Sequence, residues 1–199
     1  MQRWALLLEY DGTPFIGWQR QKSGLAVQDV LEQAASHLAR GIYVPCVAAG
    51  RTDAGVHAES QIAHLDLAAD IHPGKLRDAL NFYMKPHPVA VRMAARVAPD
   101  WSARFSAIGR AYRYVIIDRP ARPALLAGRV WHVHQRLDAQ AMATAASLLL
   151  GHHDFTSFRA SACQARSPLR TLDALDVRRD GEQIIIEASA RSFLHHQVR

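Results

Sequence analysis

The residues best suited to chemistry lie in Gly50-Arg51-Thr52-Asp53-Ala54-Gly55-Val56-His57-Ala58. Two glycines bracket one carboxylate, Asp53, and a cation, Arg51, stands two positions before it. Glycine admits φ > 0 and close approach of another backbone, so such a loop can hold Asp53 at a fixed angle. A positioned carboxylate can act as a nucleophile or as a base. A turn in which Asp53 caps its own backbone is the commoner fate of an aspartate between small residues. Spacing alone does not choose the chemical reading over that one.

The eleven histidines raise metal binding as a second chemistry. His132 and His134 fall on one face of a strand-like segment, and His152-His153-Asp154 offers nitrogen and oxygen donors. The chain has no His-Glu-x-x-His, no Cys-x-x-Cys and no carboxylate pair at ligand spacing, so no metal is expected. Neither the Gly-x-x-x-x-Gly-Lys phosphate cradle nor Gly-x-Gly-x-x-Gly occurs. No nucleotide or other cofactor is expected.

The elements around Asp53 follow from hydrophobic period. Residues 4–10 alternate and predict a strand, broken by Asp11-Gly12-Thr13-Pro14. Phe15, Trp18 and the polar run 19–22 form a loop in which Trp18 is assigned an anchoring role. Val27, Val30, Leu31, Ala34, Ala35 and Leu38 share one helical face. The apolar run 43–49 leads as a strand into the Asp53 loop, and residues 62–67 leave it as another. A helix opens at Pro73, with Leu76, Ala79, Leu80 and Tyr83 inward. A further strand, at 89–93, runs on toward Trp101.

The second half is similar in make-up. Strands are expected at 111–117 and 130–134, and Asp138 caps a helix with Met142, Ala145, Ala146 and Leu149 inward, closed by Gly151. Residues 172–178 and 184–190 flank Asp180-Gly181, a hairpin signal, and a helix is expected to start at Arg191. The expected fold class is α+β: two similar α/β-sandwich halves with antiparallel sheets flanked by helices, with a cleft expected between the halves. Residues 1–104 form the N-terminal half, carrying loop 50–58, and residues 105–199 the C-terminal half.

The net charge of +6 is unevenly spread. Residues 1–104 hold 11 Lys/Arg against 10 Asp/Glu, whereas residues 105–199 hold 13 Arg, no Lys and 8 acids. Arginine presents a planar fork to phosphates and stacks on bases, so the bias suits a nucleic-acid partner; a solvated basic surface would show the same bias. No apolar run approaches the roughly 18 residues of a membrane span, and no signal-peptide core precedes the first strand. Cys46 and Cys163 lie far apart and are expected as reduced thiols. A cytoplasmic protein without membrane contact is expected.

Several segments together resemble the tRNA pseudouridine synthase A (TruA) family. They are Tyr10-Asp11-Gly12-Thr13 with Gly17-Trp18-Gln19, the loop Gly50 to Ala58, Tyr112-Arg113-Tyr114, Gly151-His152-His153-Asp154-Phe155, and Phe193-Leu194-His195-His196-Gln197-Val198-Arg199. They occur in the family's order and span nearly the whole chain.

The resemblance implies a pseudouridine-synthase-like fold and an isomerase that converts uridine to pseudouridine in the anticodon stem-loop of tRNAs, at positions 38, 39 and 40. It implies that Asp53 is the catalytic aspartate, that Tyr112 lies on the uracil ring, and that Arg199 pairs with the aspartate. For Arg51 two roles stand: contact with phosphate, or filling the space left by the flipped base. His57 is expected to order the loop, and residues 151–155 to build the cleft wall. The family implies a homodimer with tRNA spanning both subunits. Family members continue past the position of Arg199, so the C-terminal half is expected to be incomplete. The alternative is a non-catalytic tRNA-binding protein of the same fold.

Overall fold

The computed structural model describes residues 1–68, 70–161 and 163–198. The chain divides into two compact units, Met1–Ala107 and Ile108–Arg199.

The first unit runs β1 (Gln2–Tyr10), α1 (Val27–Leu38), β2 (Cys46–Ala48), β3 (Ala58–Leu67), α2 (Pro73–Tyr83) and β4 (Val89–Val97). Its sheet has the order β2-β3-β1-β4, every pair antiparallel. Alternation in β1 sends Trp4, Leu6, Leu8 and Tyr10 into the core. Val27, Val30, Leu31, Ala34 and Ala35 of α1 meet them there. Each large side chain so buried contributes about 1.5–3 kcal/mol. In α2, Leu76 and Leu80 are buried as expected, but Tyr83 is not. Its ring stacks on His37 of α1 at 4.9 Å, and Met84 takes the inward position.

Residues 98–106 are latched back onto this sheet. Arg3 grips both oxygens of Asp66, each at 2.8 Å, and donates from Nη1 to the carbonyl of Trp101 at 2.9 Å. Beside it, His64 is buried and its Nδ1 accepts the Ala103 N–H at 3.1 Å. Burial, and next the neighbouring Arg3, pull the His64 imidazole below its ordinary pKa.

The second unit runs β5 (Arg110–Asp118), β6 (Trp131–Val133), α3 (Ala139–Ser147), β7 (Gly151–Asp154), a 3-10 turn (Thr156–Phe158), β8 (Leu169–Asp180) and β9 (Gln183–Ala190). The sheet order is β6-β5-β9-β8-β7. Its sheet is mixed rather than antiparallel, because β6 pairs with β5 in parallel. Residues 119–130 supply the crossover of roughly a dozen residues or more that such a pair requires. The hairpin falls where Asp180-Gly181 predicts it, with Asp180 opposite Gln183.

The core of this unit is small: Phe155, Leu172, Ala188, Ala190 and Leu194, with Leu149 and Phe193 packed against it. Of the expected inner face of α3 only Ala146 is buried. Asp138 caps that helix as expected, accepting from Gln140 and Ala141 N–H. No helix forms at 191–198. Gln197 N–H bonds the Leu194 carbonyl, its Oε1 accepts the Leu194 N–H, and His196 takes φ 65°, closing a turn.

At the end of β5 a buried carboxylate ties the second unit together. Asp118 is 1% exposed and accepts from Nη1 and Nη2 of Arg179, at 2.9 and 2.7 Å, and from the Leu137 N–H at 2.8 Å. The Arg179 fork holds the Asp118 carboxyl well below the usual carboxylate range. Both cysteines are free thiols, and burial pushes that of Cys46 up.

Candidate active site

The Asp53 loop connects β2 to β3 and is built against two earlier turns of the first unit. The first is the loop 15–20. Gly17 and Asp53 form an isolated antiparallel bridge, Trp18 N–H donates to the Thr52 carbonyl at 2.9 Å, and Gly55 N–H donates to the Phe15 carbonyl at 3.3 Å. Gly17 has φ 118°, and a Cβ there would lie 2.7 Å from the Thr52 oxygen. Only glycine satisfies both conditions. Phe15 and Trp18 are each 3% exposed, so the Trp18 ring belongs to the core and anchors the loop.

The second support is the turn after β1. A Cβ at Gly12 would sit 2.1 Å from the Val56 carbonyl, so the two backbones are in direct contact. His57 Nδ1 accepts the Gly12 N–H at 3.1 Å and lies 3.0 Å from Asp11 Oδ1. One nitrogen cannot serve both partners at once; unprotonated it accepts from Gly12, protonated it donates to Asp11. In either form His57 ties residues 11–12 to the loop. Tyr10, at the end of β1, adds a hydroxyl contact to Thr52 Oγ1 at 2.8 Å. The residues on both sides of Asp53 are therefore pinned, while its own side chain is half-buried.

Within the loop Gly55 has φ 75° and Val56 N–H closes on the Asp53 carbonyl at 3.1 Å. The Gly50 carbonyl accepts from Gln61 Nε2 at 2.8 Å. Arg51 is exposed, and no hydrogen bond or ion pair is made by it among the described residues.

Tyr112 belongs to the second unit. It lies on β5 opposite Ala188 of β9 and is half-buried. Its ring meets Phe193 edge-on, centroids 5.1 Å apart and planes at 90°. Phe193 packs against the small core, so it fixes the tilt of the tyrosine. Arg199, the expected partner of Asp53, lies outside the described residues.

The histidines weighed as metal donors make other bonds. His132 Nε2 is 2.8 Å from the Arg119 carbonyl and His134 Nδ1 is 3.2 Å from that of Pro120. His152 Nδ1 pairs with Thr171 Oγ1 at 3.0 Å and His153 Nε2 with the Leu150 carbonyl at 2.7 Å, while Asp154 accepts from Thr156. Residues 151–154 are the edge strand β7, under which Phe155 is buried. No helix among the described residues is long and apolar enough to cross a membrane.

Sequence reasoning passed over the residues that hold the loop from behind, Gly17, Tyr10 and Thr52 among them. Their pairings join distant parts of the chain, and no local period announces them. All three stand inside segments that carry the family resemblance, which is the one signal that pointed to them.

A family model described as tRNA pseudouridine synthase matches residues 7–106 and 145–199. A protein of Acidiphilium cryptum (strain JF-5) named tRNA pseudouridine synthase A is 67% identical over 201 residues, covering 100% of this chain and 78% of its own length. Proteins of the same name from Paramagnetospirillum magneticum and Gluconobacter oxydans are 61% and 56% identical. Each again covers 100% of this chain, and 77% and 73% of its own length. Asp53, its two supporting turns and β9 lie within the residues that the family model matches, and the chain belongs to the tRNA pseudouridine synthase family.

Proposed function

We propose that the chain isomerises uridine to pseudouridine in the anticodon stem-loop of tRNAs, at positions 38, 39 and 40. Its similarity over its full length to proteins named tRNA pseudouridine synthase A carries this reading. The bond between C1′ and N1 of the uridine breaks, the uracil turns, and C5 bonds to C1′. C5 gives up its proton and N1 ends protonated, so the product is an isomer of the substrate, with no electron acceptor and no added water. A base inside a stem must leave its stack before this chemistry begins.

Asp53 is the catalytic group, as nucleophile or base, and its pinned backbone supports the role. A side chain held in one geometry before substrate arrives spends less binding energy on being ordered. Tyr112 offers a flat face to the extruded base and a phenol that can take or give a proton. Arg199 pairs with the aspartate, and Arg51 meets phosphate or fills the space that the base vacates. The arginine-only cation set of residues 105–199 suits recognition of RNA backbone and shape over base sequence. The enzyme works in the cytoplasm as a homodimer on tRNA.

Anticodon-arm transcripts carrying a single uridine at position 38, 39 or 40 test the reading. Pseudouridine at each of the three positions is expected. Binding of all three without conversion would point to a tRNA-binding protein of the same fold.

A further inference from the structure

The reaction as proposed leaves unused a buried acid in the first unit. Glu32, on α1, is 1% exposed and receives four donors. Its Oε1 accepts the Cys46 N–H and Gln28 Nε2, both at 2.9 Å; its Oε2 accepts Tyr43 OH at 3.0 Å and the Nη2 of Arg20. Arg20 also donates from Nε to Asp29, whose second oxygen accepts the Ala26 N–H at 3.0 Å. A carboxylate and a guanidinium thus clasp the end of loop 15–20 to the first turns of α1.

Further hydrogen bonds continue the clasp in both directions. Arg20 N–H donates to Gln28 Oε1 at 3.1 Å, Gln28 N–H to the Trp18 carbonyl at 3.0 Å, and Val27 N–H to the Gly17 carbonyl at 3.2 Å. The opposite side of the same loop carries the Gly17–Asp53 bridge and the Trp18 bond to Thr52. Through Cys46, Glu32 also fixes the first residue of β2, the strand that enters the Asp53 loop. Both the approach to Asp53 and the wall behind it therefore end on one side chain.

We infer that Glu32, acting through Arg20, is a positioning residue for Asp53. The inference rests on the reading of Asp53 as the catalytic group. A buried acid that only stabilised the core would change folding and leave turnover per folded molecule alone. One that sets the height of loop 15–20 controls the angle of Asp53, and a misplacement near 1 Å costs on the order of a hundredfold in rate.

Glu32→Gln separates the two roles, because it keeps an oxygen for Cys46 and turns an amide donor toward the donors of Arg20. For folded protein we expect kcat for pseudouridine formation to fall about tenfold or more, with KM for tRNA within about twofold. Hydrogen exchange at the Trp18 and Gly55 amides should speed up, while that at Leu31 stays slow. Adding Arg20→Met to Glu32→Gln should cost little more, since the two residues act as one unit. If Glu32→Gln does not fold, Arg20→Lys, on a half-exposed side chain, carries the same comparison. Unchanged kcat with unchanged exchange would overturn the inference. A rise in KM alone would also overturn it, assigning Arg20 to tRNA contact. Asp53→Asn run in parallel keeps the two readings apart: wild-type turnover there would sink the role of Asp53, and silence there with an intact Glu32→Gln would sink only the clasp.

Discussion

Gly17 and Asp53 face each other across a two-residue antiparallel bridge, and the glycine has no room for a side chain. The space a Cβ would need is taken by the carbonyl of Thr52, the residue before the aspartate. The backbone of the proposed catalytic group is thereby set by a neighbour that is distant in sequence and does no chemistry itself.

Gly17→Ala should therefore damage turnover more than folding. The added methyl must push Thr52 and Asp53 aside, and φ 118° is poorly tolerated by alanine. A fall in kcat on the order of a hundredfold is expected, with tRNA binding kept. Steady-state kinetics beside a melting curve check it; wild-type kcat would show that the bridge does not place the aspartate.

Tyr112 divides into a ring and a hydroxyl. Tyr112→Phe should keep tRNA affinity and slow the chemical step, since the ring is retained against Phe193 and the phenol is lost. Tyr112→Leu should in addition weaken hold on the flipped base, by about 1–3 kcal/mol if the ring stacks on uracil. Single-turnover rates and filter binding on the two variants separate these terms.

The latch at His64 makes stability depend on pH. Its imidazole is held below the ordinary value of about 6.5, so the folded protein binds fewer protons than the unfolded chain as that range is crossed. The contribution is present above about pH 6.5 and is lost as pH falls through the folded value. Protonation also removes the acceptor that Ala103 N–H uses. Urea unfolding should show wild type losing more stability than His64→Asn between pH 7.5 and pH 5; parallel losses would refute this.

The parts of the fold legible in the sequence are those written in local period. Alternation in residues 4–10 and the apolar face of Val27 to Leu38 predict β1 and α1, because core burial imposes those spacings. The Asp53 loop was legible by its glycines and by family resemblance. Less legible were features decided by distant partners. The parallel pairing of β6 depends on the course of residues 119–130, and β7, Gly-His-His-Asp, is too polar and short to look like a strand. Glu32 sits beside Leu31 on α1 and gives no sign that it is buried, since its burial depends on Arg20, Tyr43 and Cys46.

Asp53 is proposed as the catalytic group, as nucleophile or base, without which the isomerisation does not start. Release of tritium from tRNA labelled at uracil C5 reports loss of the C5 proton, and Asp53→Ala is the variant to compare. Wild type should release label in step with pseudouridine formation. Asp53→Ala should bind tRNA with similar affinity and release none above background. Release by Asp53→Ala at the wild-type rate would show that another group carries the reaction.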